Sequence, residues 1–248
     1  MRYKRAVRRM PHRAARCLGA SHWGMSETMG GERIRLPFID RWEAGRILAE
    51  RLTGLGLSEP VVLALPRGGL PVGAPVAERL GGVLDVLVTR KIGYPPQPEL
   101  GVGAIAEGGE PVFDEELMGR LGLSRAALAP VIASERAELR RRVAVYRGDR
   151  PLPELRGRDV VVVDDGLATG NTARAGLAAV RAAGPARLVL AVPVGAPETV
   201  ESMWPAADDV VVPVTPASFQ AVGQWYARFG QLTDEDVLEI LGRYTPNA

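Results

Sequence analysis

Cysteine and histidine are nearly missing from this 248-residue chain: Cys17, His12 and His22 are the whole supply, and all three precede residue 23. From there to the end, Ser-His-Asp and Cys-His catalysis are excluded, and so is a His/Cys zinc site. A lone cysteine cannot form an intrachain disulfide, which fits a reducing compartment, and a cytoplasmic location is expected. No apolar run approaches the roughly 18–20 residues that a membrane span requires. No G-K-S or G-K-T occurs, so a Walker nucleotide-binding loop is excluded. Lysine occurs only as Lys4 and Lys91, and every other basic residue is arginine. A lone lysine where arginine would serve for charge elsewhere points to a specific task, with residual composition bias as the plainer account.

Net charge of +2 conceals an asymmetry. Residues 1–17 carry seven basic residues and no acid, which leaves 24 basic against 29 acidic residues in the remainder. A mildly acidic body argues against nucleic acid as a partner, whatever the overall isoelectric point. Hydrophobic content of 46% and charged content of 24% are enough for a sizeable core and argue against wholesale disorder. Residues 1–32 read as a basic extension without the apolar core of a secretory signal. Met25 and Met29 make a misassigned start an expectation there, with a basic arm for RNA or anionic lipid, or an organelle transit peptide, as alternatives. Residues 33–248 are expected to form a single domain, with a helical insertion over 115–146 and a C-terminal hood or tail over 213–248.

The informative stretch runs from Asp159 to Gly176, D-V-V-V-V-D-D-G-L-A-T-G-N-T-A-R-A-G. Val160 to Val163 are apolar toward both faces, the pattern of a strand buried in a parallel sheet. Asp164 and Asp165 close the strand, a small-residue turn follows over Ala168, Thr169, Gly170, Asn171 and Thr172, and a helix is expected over 173–183. A Gly-containing loop feeding a helix start gathers backbone N–H groups and the positive end of the helix dipole, which suits a phosphate. Thr169 and Thr172 can add hydroxyl donors. Carboxylates beside a phosphate cup need a partner with hydroxyls or a metal, and a sugar phosphate bound with Mg2+ meets both demands. The plainer reading is a strand-end turn with Asn171 or Thr172 capping the helix.

A second strand-loop-helix unit precedes it. Val61 to Leu65 form a buried strand, Pro66-Arg67-Gly68-Gly69 the loop, and residues 72–80 a helix. Glycines at 68 and 69 let ligand oxygens approach the backbone, and Arg67 offers a fork for phosphate; a Gly-Gly turn with a solvated arginine is the alternative. A strand is expected over Val83 to Val88, ending in Thr89-Arg90-Lys91. Gly93 to Gly101 is rich in breakers and reads as a loop, and Gly101 to Ala106 with Pro111 to Phe113 as a short hairpin. Residues 115–146 read as helical, broken near Gly122. Strands at 188–193 and 210–212, with a helix between them, complete a strand-helix alternation. The fold class is therefore α/β, a doubly wound and mostly parallel sheet flanked by helices, whose strand ends carry every motif. Phe219, Trp225, Tyr226 and Phe229 cluster near the C-terminus, before a helix capped by Thr233 with Asp236 at the capping-box position.

The string from Val160 to Thr172 resembles the signature of the type I phosphoribosyltransferases, an apolar strand, two acids, a short spacer and T-G-x-T. The resemblance covers about residues 33–241 and, with P-R-G-G, R-K and the Pro-rich stretch, is closest to bacterial phosphoribosyltransferases of unassigned substrate. It implies transfer of the phosphoribosyl group of phosphoribosyl pyrophosphate (PRPP) to a nitrogen acceptor, a nucleobase, with release of pyrophosphate and with Mg2+ held through PRPP near Asp164 and Asp165. It places the ribose on those two acids, the 5-phosphate on Ala168 to Thr172, and pyrophosphate on Arg67, Gly68, Arg90 and Lys91, with Arg67, Lys91, Asp164 and Asp165 as the catalytic set. The resemblance also implies a cis peptide at Pro66–Arg67, a mobile lid over 93–101 and a hood whose aromatics stack on the base, packing of the tail onto the sheet being the alternative. Enzymes for 6-oxopurines carry an acid before T-G; here Ala168 stands there, which looks more like the adenine enzymes, although the 115–146 insertion does not. A non-catalytic PRPP-sensing module is the alternative function, a sugar-phosphate hydrolase is disfavoured for want of a nucleophile, and a homodimer is left open.

Overall fold

A computed structural model describes residues 34–244. The basic extension, with Cys17, His12 and His22, lies outside the described residues, as do residues 245–248. In chain order the elements are α1 (Arg41–Thr53), β1 (Val61–Ala64), α2 (Leu70–Leu80), β2 (Val83–Val86), β3 (Thr89–Tyr94), β4 (Gln97–Ala106), β5 (Val112–Phe113), α3 (Glu115–Arg120), α4 (Ala129–Arg147), β6 (Asp159–Val163), α5 (Asn171–Ala182), β7 (Arg187–Ala191), α6 (Pro197–Glu201), β8 (Asp209–Val211), a 3-10 turn (Val222–Trp225) and α7 (Asp234–Tyr244).

The four valines of β6 sit at the centre of a five-stranded sheet, order β2-β1-β6-β7-β8, in which every pairing is parallel. Side chains alternate across a strand, so a run apolar at every position can only be stable between two cores. Both are present. Val62, Ala64, Val161, Val163 and Val189 join Leu48 and Leu52 of α1, Val72 and Val76 of α2 and Val237 of α7 on one face. Val61, Leu63, Val160, Val162 and Leu188 join Leu177 and Val180 of α5 on the other. Each fully buried valine contributes about 1.5–3 kcal/mol by area burial, as an upper bound.

Local signals set the helix ends. Asp40 caps α1, its carboxylate accepting from the Glu43 N–H at 3.0 Å. At α7, Asp236 N–H donates to Thr233 Oγ1 at 3.2 Å while Thr233 N–H donates to Asp236 Oδ2 at 2.7 Å, a capping box with aspartate at its third position. The 115–146 stretch is α3 and α4 with a turn between, and Leu128, Leu139 and Tyr146 are buried as their spacing predicts.

Two boundaries differ from expectation. The strand expected over Val83 to Val88 ends at Val86, because the Val88 N–H turns away to the Glu107 carboxylate, 3.0 Å distant. The breaker-rich stretch after Ile92 is an antiparallel hairpin, not an irregular loop: Gly93 pairs with Gly101 and Tyr94 with Gln97 around Pro95-Pro96. Register shifts on either side of Gly93 absorb the irregularity, and Pro98 lies where β4 has no second neighbour, an edge position that tolerates proline. β5 completes this three-stranded sheet, pairing Gly103 with Phe113 and Ala104 with Val112.

Residues on either side of the large sheet meet in a third apolar cluster. Ile34, Phe38, Ala44, Val194, Val214 and Tyr226 are buried together, with Phe219, Val222 and Trp225 against them. Phe38 and Tyr226 form a parallel bridge, and their rings lie 5.5 Å apart.

Candidate active site

β1 and β6 are neighbours, yet the chain leaves them in opposite directions. β1 leads through α2 to β2 at one edge, and β6 leads through α5 to β7 on the way to the other. At such a switch point the two exit loops part and open a crevice at the carboxyl ends of the strands. Here those loops are Pro66–Gly69 and Asp164–Gly170, so the topology brings both sequence motifs to one place.

The approach is close. The Pro66–Arg67 peptide is cis, and a Cβ built on Gly68 would lie 2.0 Å from Asp165 Oδ2. Only a glycine backbone fits against that carboxylate. Gly68→Ala is therefore expected to displace Asp165 or the loop by about an ångström, and to weaken binding of PRPP, the ligand that the sequence resemblance implies, by roughly tenfold or more. Titration calorimetry of the folded variant checks this; wild-type affinity would mean that the carboxylate and the loop are not jointly required.

Gly170 ends the second loop at φ 75°, in the left-handed region, and precedes α5 with no side-chain cap. Capping by Asn171 or Thr172 is thus not what the helix start uses: the Asn171 amide instead donates to the Gly101 carbonyl at 3.3 Å. The first N–H groups of the twelve-residue α5 have no side-chain partner among the described residues, as a phosphate cup requires. Loop carbonyls are engaged elsewhere, Ala168 O by the Thr199 hydroxyl at 2.6 Å and Thr169 O by Arg174 at 3.1 Å. That leaves the donors, not the acceptors, free at the loop.

Asp164 and Asp165 are partly exposed at the base of the crevice. Burial first, and the adjacent Asp165 charge second, push the Asp164 carboxyl well above the usual carboxylate range. Burial also raises Asp165, against the opposing pull of Arg41, whose Nε donates to Asp165 Oδ2 at 2.8 Å. The Asp165 N–H donates to Asp164 Oδ1 at 2.8 Å and fixes one acid against the other. Such a pair is costly without a ligand and well suited to hydroxyl groups or a cation.

Arg41 was not singled out in the sequence, nor were the contacts that Tyr226, Phe229 and Arg67 make. Arg41 is the first residue of α1; besides Asp165, it donates to the Gly230 carbonyl at 3.0 Å and lies 3.8 Å above the Phe229 ring centre. The Tyr226 hydroxyl donates to the Asp165 main-chain carbonyl at 2.5 Å, and burial, reinforced by the Asp165 charge, keeps that phenol protonated. Arg67 reaches the C-terminal segment, donating to Leu232 O at 2.5 Å, with Asp234 3.8 Å from its Nε. Asp234 also accepts from the Tyr146 hydroxyl at 2.5 Å. The sequence signal for these contacts was faint, an arginine just past a cap and an aromatic cluster, because each spans a long stretch of chain.

Arg90 and Lys91 part company. Neighbours in β3, they point to opposite faces: Arg90 pairs with Glu135 of α4 at 2.7 Å, whereas Lys91 packs over Gly101, beside Asn171 at the start of α5, and reaches Glu99 at 3.2 Å. Lys91 thus adjoins the loop that precedes α5, and Arg90 is committed to α4. The aromatics of the tail pack on one another, Phe219 on Trp225 and Tyr226 on Phe229, with Phe229 38% exposed at the crevice side of the stack. Two hollows of about 240 and 360 Å³ flank the Glu107-Gly108 turn, one lined by the carboxyl-terminal half of α5 and the other by α4, remote from the acid pair.

Comparison with known proteins identifies the family of the chain. Over residues 41–212 the chain matches the phosphoribosyl transferase domain family. Sequences from two Mycobacterium tuberculosis strains, which carry phosphoribosyl transferase as a provisional designation, are 47% identical over 206 residues, 83% of this chain and 46% of theirs. The chain therefore spans about half the length of these relatives. The crystal structure of TT1426 from Thermus thermophilus matches with a TM-score of 0.72 and 47% identity, covering 84% of this chain and 99% of that one.

Proposed function

The chain belongs to the phosphoribosyl transferase domain family, and from that premise we propose that it transfers the phosphoribosyl group of PRPP to a nitrogen acceptor, a nucleobase, with release of pyrophosphate. The observation that carries this reading is the meeting of Asp164 and Asp165 with the uncapped start of α5 and the Gly68 backbone in one crevice. In the transfer, the bond from ribose C1 to pyrophosphate oxygen breaks, its electron pair leaves with pyrophosphate, the acceptor nitrogen supplies the new pair to C1, and the base gives up its ring proton to the departing pyrophosphate or to water. Asp164 and Asp165 bind the ribose hydroxyls and stabilise the sugar as C1 becomes cationic. Ala168 to Thr172 bind the 5-phosphate. Arg67, Gly68 and Lys91 face the leaving pyrophosphate, with Arg90 assigned there by family position although its guanidinium is paired with Glu135. Each donor acts most strongly where charge develops in the transition state.

Magnesium suits this set. Among the described residues no group of three or more acidic, histidine or cysteine ligands could hold a metal ion, but Mg2+ commonly takes one or two carboxylates and completes its shell with substrate oxygens. Mg2+ would be held through PRPP near Asp164 and Asp165, where it would neutralise diphosphate charge. The Ala168 side chain offers no carboxylate to accept a proton from the nucleobase, so the acceptor is expected to attack through a lone pair of its neutral form.

The test is pyrophosphate release from PRPP and Mg2+ against a panel of nucleobases. Release with at least one base, lost in Asp164→Asn, is expected. PRPP binding without turnover on any base would sink the transferase reading and leave the sensing module.

A further inference from the structure

We propose that Arg41 is a positioning residue for the acid pair, fixing the Asp165 carboxylate beside Gly68 and tying it to the segment that carries Tyr226, Phe229 and Gly230. The inference rests on the reading of Asp165 as a ribose-binding acid. Arg41 and Asp165 pair at 2.8 Å with side chains only 11% and 15% exposed, so water competes little for either partner. The oxygen that Arg41 holds, Oδ2, is the one nearest the Gly68 backbone. The acid is fixed at both ends, its carboxylate by Arg41 and its main-chain carbonyl by the Tyr226 hydroxyl.

Those two holders are themselves joined. Phe229 stacks on Tyr226 with ring centres 5.1 Å apart, and the Arg41 guanidinium lies over the Phe229 ring at 3.8 Å. Arg41 also donates to Gly230 O, while Arg228 of the same segment pairs with Asp40, the cap of α1, at 2.7 Å. A planar guanidinium can bond a carboxylate along one edge and a carbonyl along another while its face covers a ring; a lysine supplies only the charge. Without this clamp the Asp165 carboxylate is free to swing away from Asp164, whose like charge repels it. The geometry needed to receive two adjacent hydroxyls is then lost, although every residue that touches the ligand remains.

Calorimetric titration with PRPP and Mg2+ tests this in the full-length protein, with folding checked by circular dichroism. Arg41→Ala is expected to weaken binding by about 30-fold and Arg41→Lys by about three- to tenfold, because misplacement of a binding group by an ångström costs up to about a hundredfold. Phe229→Leu is expected to cost less than about threefold. In an Asp165→Asn background, Arg41→Ala should add less than about twofold, since the two act as one unit. Wild-type affinity in folded Arg41→Ala would overturn the inference. So would a Phe229→Leu variant that reproduces the whole loss, which would make Arg41 only a brace for the tail, or an Arg41→Ala loss that persists undiminished in Asp165→Asn. If Arg41→Ala does not fold, Arg41→Lys decides alone, wild-type affinity overturning the proposal. Wild-type affinity in Asp165→Asn itself would instead bring down the ribose reading on which the inference stands.

Discussion

Asp164→Asn is expected to raise the unfolding temperature of the free protein at pH 7 and to remove most of the rise that PRPP with Mg2+ gives the wild type. The first half follows from linkage. Burial and the neighbouring acid raise the Asp164 carboxyl well above its ordinary value. Between the ordinary and the raised value the folded state binds a proton that the unfolded chain has released, so stability falls as pH rises through that window. Above the ordinary carboxylate value the buried acid is therefore a burden on the fold, and asparagine removes it while its amide oxygen can still accept from the Asp165 N–H. A kcal/mol moves the midpoint of a domain this size by about 2–4 °C, so the direction of the change is readable by calorimetry. The advantage of the variant should shrink as pH falls below neutral, where the wild-type acid takes up its proton and the asparagine does not titrate.

The second half is the functional counterpart. PRPP at about 100 times its dissociation constant should stabilise the wild type by roughly 2.7 kcal/mol, or about 5–11 °C. Losing one of two ribose acids should take away most of that shift. Calorimetric scans of both proteins at pH 7 and pH 5.5, with and without ligand, check both halves. A variant less stable than wild type at pH 7 would mean that the acid is favourably partnered in the free protein. A full PRPP shift in the variant would mean that the sugar binds elsewhere.

What the sequence made legible was local and what it left hidden was long-range. The valines of β6 and the apolar run of β1 identify buried parallel strands because no other placement covers both faces. Glycines at 68 and 170 announce loops that must let something approach. Thr233 and Asp236 mark a helix end through bonds three residues long. By contrast, the Arg41–Asp165 pair spans 124 residues and the Arg67–Leu232 bond 165, and nothing in a pattern reading says which of many arginines crosses the fold. Arg90 and Lys91 illustrate a subtler loss: their proximity in sequence suggested a joint role, but strand alternation sends one to α4 and the other toward α5. The hairpin over 93–101 was hidden for the opposite reason, since its breakers occupy the turn, the register shifts and the open edge, positions that a pairing strand tolerates.

The other large effect concerns how the small sheet carrying Lys91 is fastened to the large one. Arg147→Met is expected to lower stability by about 3–5 kcal/mol, the cost typical of breaking a buried ion pair from one side. Arg147, at the end of α4, has a side chain only 3% exposed. Its guanidinium donates to the Val86 carbonyl at the end of β2 at 3.0 Å, contacts the Glu107 carboxylate just past β4, and lies 3.7 Å from Asp85. Asp85 is fully buried within β2, and its other support is Arg150 at 2.8 Å. Glu107 in turn accepts the Val88 N–H that has left the large sheet. Methionine matches much of the apolar stem, so packing changes little while Glu107 loses its one ion-pair partner among the described residues and Val86 O loses the Arg147 donor. Arg150 still covers Asp85, which places the stranded charge on Glu107. The paired variant Arg147→Met/Glu107→Gln should accordingly recover a large part of the loss, because a neutral amide can still accept from Val88 without burying a charge. Urea unfolding reads both, with the midpoint falling at unchanged slope for the single variant and rising again for the double. A single-variant loss below about 1 kcal/mol would mean that packing of α4 and α5, not this ion pair, fastens the Lys91 hairpin against the phosphate loop.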